Sequence, residues 1–151
     1  MSMSHRNVAQ AFADGATKGK GSRMFIEGDA VFSYGKHFPI AKRYFKYNID
    51  YLFNAEDYSS STASHKRYVR RAISGSTLLI VRDCDIDCVG IQYKDNEYEL
   101  TKAEGKRDRA RLHKEMWQER IEELEAQNEL LAQVAVRQRL LKAVEGEKRE
   151  T

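Results

Sequence analysis

Proline is nearly missing from this chain. Among 151 residues only Pro39 occurs, so no extended proline-rich linker separates its parts. Cysteine is almost as scarce: Cys84 and Cys88 are the whole supply, too few for a disulfide framework. No apolar run approaches membrane-spanning length, and no signal-peptide core follows Met1. A reducing cytoplasm, that of a host cell if the gene is phage-borne, is the expected compartment. No motif that would hold a metal or an organic cofactor is present. Asp83, Asp85 and Asp87 lack the later glycine and glutamate of a calcium loop, and two thiols at the Cys84–Cys88 spacing are a weak zinc signal.

What the chain has in quantity is charge. Lys and Arg number 26 against 23 Asp and Glu, and mean hydropathy is -0.70. The signs are partitioned. Lys36, Lys42, Arg43 and Lys46 precede the next acid at Asp50, and Lys66, Arg67, Arg70 and Arg71 form a second basic group. From Asp83 to Glu99 six acids face Lys94 alone. A basic face suited to phosphate and an acidic face are therefore expected.

The pattern predicts an α+β fold. It comprises a small antiparallel sheet with one or two packed helices over residues 1–101, then a long coiled-coil-type helix over 102–151. His5 to Ala13 has helical spacing, and Gly15 to Ser22 reads as a loop. Met24 and Ile26, a turn at Gly28-Asp29, and Val31 to Tyr34 form a hairpin. Phe38 to Phe45 and Asn48 to Asn54 are further strands. Ser59 to Thr62 can cap a helix to Ile73, and Thr77 to Val81 is a buried strand. Val89 to Tyr93 and Tyr98 to Leu100 are expected to pair as a second hairpin around Asp95-Asn96.

From Ala103 to about Glu145 good helix formers run without a break, a helix of roughly 65 Å. Trp117, Leu124 and Leu131 fall at d, with Ile121 and Asn128 at a. Beyond Leu131 the seam drifts through Val134, Leu141 and Val144. Asparagine at one a position fixes register, and Arg120 can face Glu125 across a parallel pair. This favours a homodimer over the competing arrangement, a helix folded back on its own chain.

Two constellations could carry function. Tyr34, Phe38, Tyr44, Phe45 and Tyr47 interleave with Lys36, Lys42, Arg43 and Lys46, the mixture that grips single-stranded nucleic acid by stacking and phosphate contact. The basic helix adds Lys66, Arg67, Arg70 and Arg71. His37, in a glycine turn, and His65, in the first turn of a helix, are a candidate acid–base pair for metal-independent phosphodiester cleavage. Free N–H groups at Ser61 and Thr62 would then hold the phosphate.

The segment Val31 to Ala41, with Tyr58-Ser59 and the Ser61-Thr62-x-x-His65 pattern, resembles a domain of unknown function found in phage and archaeal proteins. The resemblance spans about residues 5–82. It implies a phage or mobile-element setting and places His37 and His65 in the family motif, but it implies no activity. The expected role is a dimeric accessory protein binding nucleic acid or a nucleoprotein complex through its basic face. The alternatives are the phosphodiesterase, or an inhibitor whose acidic strands imitate nucleic acid.

Overall fold

The computed structural model describes residues 3–57 and 59–150, with side chains through residue 139 in the last helix. The readings of Tyr58, Leu141 and Val144 fall outside what is so described. The chain divides into two compact units, Met1–Ile86 and Asp87–Thr151.

The first unit is a six-stranded sheet in sequential order with two helices. The strands are β1 (Lys18–Lys20), β2 (Met24–Glu27), β3 (Ala30–Ser33), β4 (Pro39–Lys46), β5 (Ile49–Asn54) and β6 (Leu78–Val81). β1 to β5 form an antiparallel meander. β6 pairs parallel with β5, which needs a long crossover, and α2 (Ser60–Ala72) supplies it. The expected antiparallel sheet thus gains one parallel edge. The β2–β3 turn lies at the expected residues, with Gly28 at φ 63 in the region only glycine enters without strain.

α1 (His5–Ala13) is capped by the Ser4 hydroxyl, which accepts from Asn7 N–H at 3.1 Å. Its Val8, Ala9 and Phe12 join Met24, Ile26, Val31, Ala41, Tyr51 and Phe53 from the sheet and Val69 and Ile73 from the α2 end in one core. The segment read as a plain loop, Gly15 to Ser22, contains edge strand β1. Its glycines admit close neighbours: a Cβ on Gly21 would meet Met3 O at 2.8 Å. Met3 N–H donates to Lys20 O at 2.9 Å, so the N-terminal segment lies against the end of β1.

Asp83, Asp85 and Asp87 do not alternate along a strand. They sit in two short 3-10 turns, Arg82–Cys84 and Ile86–Cys88. The buried Asn54 fixes the first of these: its Oδ1 accepts from Asp83 N–H at 3.1 Å and Glu56 N–H at 2.9 Å, and its Nδ2 donates to Pro39 O at 2.8 Å.

The second unit corrects two expectations. Residues 89–100 are not a hairpin; they begin α3 (Val89–Arg109), and α4 (Lys114–Glu150) follows a four-residue connection. The buried Val89, Gln92, Asn96 and Ala103 recur at three- and four-residue spacing, which is helical, and Asp95-Asn96 lacks the glycine that would favour a tight strand turn. The single long helix is broken at Ala110–His113, where His113 takes φ 65. α3 and α4 pack against each other, and so short a connection makes them antiparallel. Arg107 Nη1 donates to Gln118 Oε1 at 2.8 Å beside the turn. Ile121, Leu124, Asn128 and Leu131 are all buried and Trp117 is half-buried. The heptad seam therefore has a partner within the chain, in α3, rather than requiring a second copy.

Candidate nucleic-acid interface

The basic residues singled out from sequence separate into interior and surface groups. Arg43 turns inward: its guanidinium donates to Gly28 O at 3.0 Å, Phe12 O at 2.8 Å and Ala16 O at 2.6 Å, and lies 4.5 Å from the Phe12 ring centre. It ties the end of α1 to the sheet. Lys66 is buried, donating to Glu56 O at 3.0 Å and pairing with Asp57 at 2.9 Å over the Phe53 ring. Neither is available to a ligand as the sequence reading required. Lys36 pairs with Glu27 at 3.0 Å. Lys42 follows Ala41, a core residue on the helix-covered side, so it points from the opposite sheet face. Arg70 is exposed and lies 5.8 Å from the Phe53 ring centre. Arg67 and Arg71 reach solvent.

Those two arginines belong to a surface the sequence reading did not assemble. Three concavities of the first unit adjoin one another. One, of about 740 Å³, runs along Lys18 to Ile26 and includes Tyr34. The second, of about 390 Å³, shares Ser22 with it and adds Met3 to Arg6 and Tyr68. A third, of about 150 Å³, shares Tyr68 and adds Ser64, Arg67 and Arg71. Along the trough they form, Lys18, Lys20 and Arg23 line the first concavity, Arg6 the second, and Arg67 and Arg71 the third, with no carboxylate among the described lining residues. Gly19, between the two lysines, faces Ile26 and the core, so Lys18 and Lys20 leave the other side of β1, where Glu27 stands across from Lys18 in the ladder.

Local structure explains the grouping. Lys18 and Lys20 are both exposed on β1, whose side-chain period is two. Ser64, Arg67, Tyr68 and Arg71 are three or four apart on α2 and so share its outer stripe. Arg6 and His5 arrive because Met3 is bound to the end of β1. The basic glycine segment was visible in the sequence; its closeness to Arg6 and to α2 was not, since residues as far apart in the chain as Met3 and Tyr68 line one concavity.

The histidines are also rearranged. His65 is only 2% exposed, and its Nδ1 shares a 2.7 Å hydrogen bond with the buried Ser33 hydroxyl. The ring stacked edge-on against it is His5, with centres 4.4 Å apart, and Tyr34 lies at 5.6 Å. Burial first, then the charges of His5 and Arg23, pushes the His65 pKa below the ordinary imidazole value. His37 is exposed in the loop after Tyr34. A proton shuttle open to substrate requires both imidazoles to face it, and His65 does not.

The proposed anion site at Ser61 and Thr62 is occupied by the helix's own cap. Thr62 N–H donates to Ser59 Oγ at 3.2 Å, and Thr62 is buried. Ser61 acts instead on the Tyr34 phenol: its effect, ahead of the opposing effect of burial and the help of Arg23, holds the phenol below its usual pKa.

Among the described residues no three His, Cys, Asp or Glu side chains come together as metal ligands. Burial, reinforced by Asp83, drives the Cys84 thiol far above its ordinary pKa, so it is not a reactive thiolate. No described helix is long and apolar enough to cross a membrane. No protein-family model, curated protein or solved structure matches this chain.

Proposed function

We propose that this chain is a non-enzymatic accessory protein that binds nucleic acid through the trough of its first unit, in the phage or mobile-element setting the sequence resemblance implies. The observation that carries the reading is the run of Lys18, Lys20, Arg23, Arg6, Arg67 and Arg71 along three adjoining concavities whose described lining holds no carboxylate. Six cations along these concavities, with Glu27 the cross-strand neighbour of Lys18, favour a polyanion, and the counterions it releases make binding salt-sensitive.

Self-association through α4 is not needed for this reading, because Ile121, Leu124, Asn128 and Leu131 are already buried. The hydrolytic alternative through His37 and His65 is not taken up, since His65 is closed to solvent. The inhibitor alternative loses its acidic strands to two 3-10 turns and a helix.

The test is fluorescence anisotropy with labelled oligonucleotides at low salt. Affinity is expected to fall about tenfold to a hundredfold between roughly 50 and 200 mM salt, as for three or four phosphate contacts. Replacing Lys18, Lys20, Arg67 and Arg71 together by alanine should abolish measurable binding, while Lys102→Ala with Lys114→Ala in the second unit should leave it unchanged. Equal loss from both sets would sink the proposal.

A further inference from the structure

The trough contains one residue that phosphate binding does not explain. Tyr34 follows β3 at φ 67, a left-handed conformation that costs a residue with a Cβ roughly 1–2 kcal/mol. The surrounding bonds hold it there: Tyr34 N–H donates to Arg23 O at 2.8 Å, Gly35 N–H to Ser33 O at 2.8 Å, and Phe38 N–H to Gly35 O at 3.2 Å. The result is an aromatic ring left 50% exposed on the wall of the largest of the three concavities.

The ring is contacted at its far end as well. Its hydroxyl sits a long 3.5 Å from Arg23 Nη1, and Ser61 acts on the same phenol, lowering its pKa. One edge leans on the buried His65, and the Arg23 guanidinium lies 5.9 Å from its centre. The backbone bonds set where the side chain leaves the chain, and the contacts with His65 and Arg23 favour one placement of the ring. Lys18, Lys20 and Arg23 line the same concavity, so a flat apolar surface is presented beside cations. Paired bases in a duplex keep their faces stacked inside the helix; only an unpaired base can lie on such a ring while its phosphates meet neighbouring cations.

From this arrangement we infer that Tyr34 is a stacking platform for an unpaired base, and that the ligand of the trough is a single strand. The inference rests on the trough being the nucleic-acid surface and adds the strand class and the residue that reads it. His65 and Arg23 are positioning residues for the ring; the contact with the base belongs to Tyr34.

The experiment compares a twelve-nucleotide single strand, the same strand with abasic sites throughout its centre, and its duplex, by anisotropy at one low salt concentration. The wild-type chain should prefer the single strand to the duplex. Tyr34→Ala should weaken single-strand binding about tenfold or more, the range for losing one base–aromatic stack, without changing duplex binding. Tyr34→Phe should stay within about threefold of wild type, because the ring survives and only its hydroxyl is lost. The abasic strand should bind the wild type and Tyr34→Ala alike. Melting curves establish that each variant is folded. Single-strand affinity unchanged in Tyr34→Ala, with binding still lost in the four-site cation variant, overturns the stacking inference and leaves the trough standing. A duplex preferred by the wild type also overturns it. No binding to any of the three ligands removes both.

Discussion

Two buried asparagines show how differently the two units are built. Asn54, in the sheet unit, is fully buried and has both ends of its amide engaged, accepting from Asp83 and Glu56 and donating to Pro39. Asn128, in the helical hairpin, is 7% exposed, and its Oδ1 has no hydrogen-bond partner among the described residues. Around Asn54 polar groups replace regular ladder bonds where the chain leaves β5 and re-enters after β6. Around Asn128 the helix backbones satisfy themselves, and the side chain is an interruption in an apolar seam. Carrying the antiparallel register from Arg107 and Gln118 back along α3 brings Asn128 level with Glu97, next to the buried Asn96, which already accepts from Gln92 at 3.0 Å. A polar layer at one level of a seam opposes slippage, at some cost in stability.

The sharpest way to break this comparison is to make the same substitution at both sites. Asn54→Leu leaves Asp83 N–H, Glu56 N–H and Pro39 O without their partner, and at about 1–3 kcal/mol for each stranded group the first unit should lose about 3–5 kcal/mol. Asn128→Leu removes one unsatisfied carbonyl and adds apolar contact, so the hairpin should gain about 1 kcal/mol. Urea titration reads both. The only tryptophan, Trp117, lies in α4 and reports the hairpin, while far-ultraviolet dichroism reports the whole chain. A destabilised hairpin in Asn128→Leu would mean that the Oδ1 is satisfied in solution.

The same contrast, interior against surface, divides the basic residues. Arg43 and Arg67 are indistinguishable as letters in two basic clusters. Arg43→Met should cost about 2–3 kcal/mol, because three carbonyls lose a charged donor. Arg67→Met, on an exposed helix face, should change stability by less than about 0.5 kcal/mol while weakening oligonucleotide binding. Thermal melting paired with anisotropy separates the two. A stable Arg43→Met variant would remove the structural role assigned to that guanidinium.

This pair also marks where sequence reading stops. Short-range chemistry was legible: the Gly28-Asp29 turn, the Ser59 cap, the strand that Pro39 begins and the buried β6 run all lie where local rules put them. The stretch from Val89 to Leu100 was misread because alternating Val89, Ile91 and Tyr93 fit a strand template as readily as Val89, Tyr93, Asn96 and Leu100 fit a helix. The break at Ala110–His113 contains neither glycine nor proline, so nothing local announces it. Once it was missed, a seam that closes within the chain looked like one awaiting a second copy. The trough escaped for a different reason. Which arginines face solvent depends on where the carbonyls of Phe12 and Ala16 end up, and that is a property of the folded sheet.

The smallest effect expected is a pH dependence confined to the sheet unit. His65 is enclosed by Ser33 on β3, His5 on α1, Tyr34 and Arg23, with no carboxylate among these neighbours to stabilise an imidazolium. Burial and the two nearby basic groups lower its folded pKa, whereas the unfolded chain keeps the ordinary value of about 6.5. As pH falls below that value the unfolded state takes up the proton first, so the contribution of neutral His65 is complete above about pH 6.5 and is lost as pH drops through the folded pKa. One proton limits the slope to about 1.4 kcal/mol per pH unit. Other groups titrate in the same range, so the observable is the difference between the wild type and His65→Gln, each melted between about pH 5 and 8. The variant should be less stable at pH 8, having lost the buried ring, and the two curves should converge on acidification. Trp117 fluorescence should show no such convergence, because the hairpin carries no part of this cluster. Parallel curves would place the His65 ring in contact with solvent protons in the folded state, and the closed polar interior of the first unit would have to be given up.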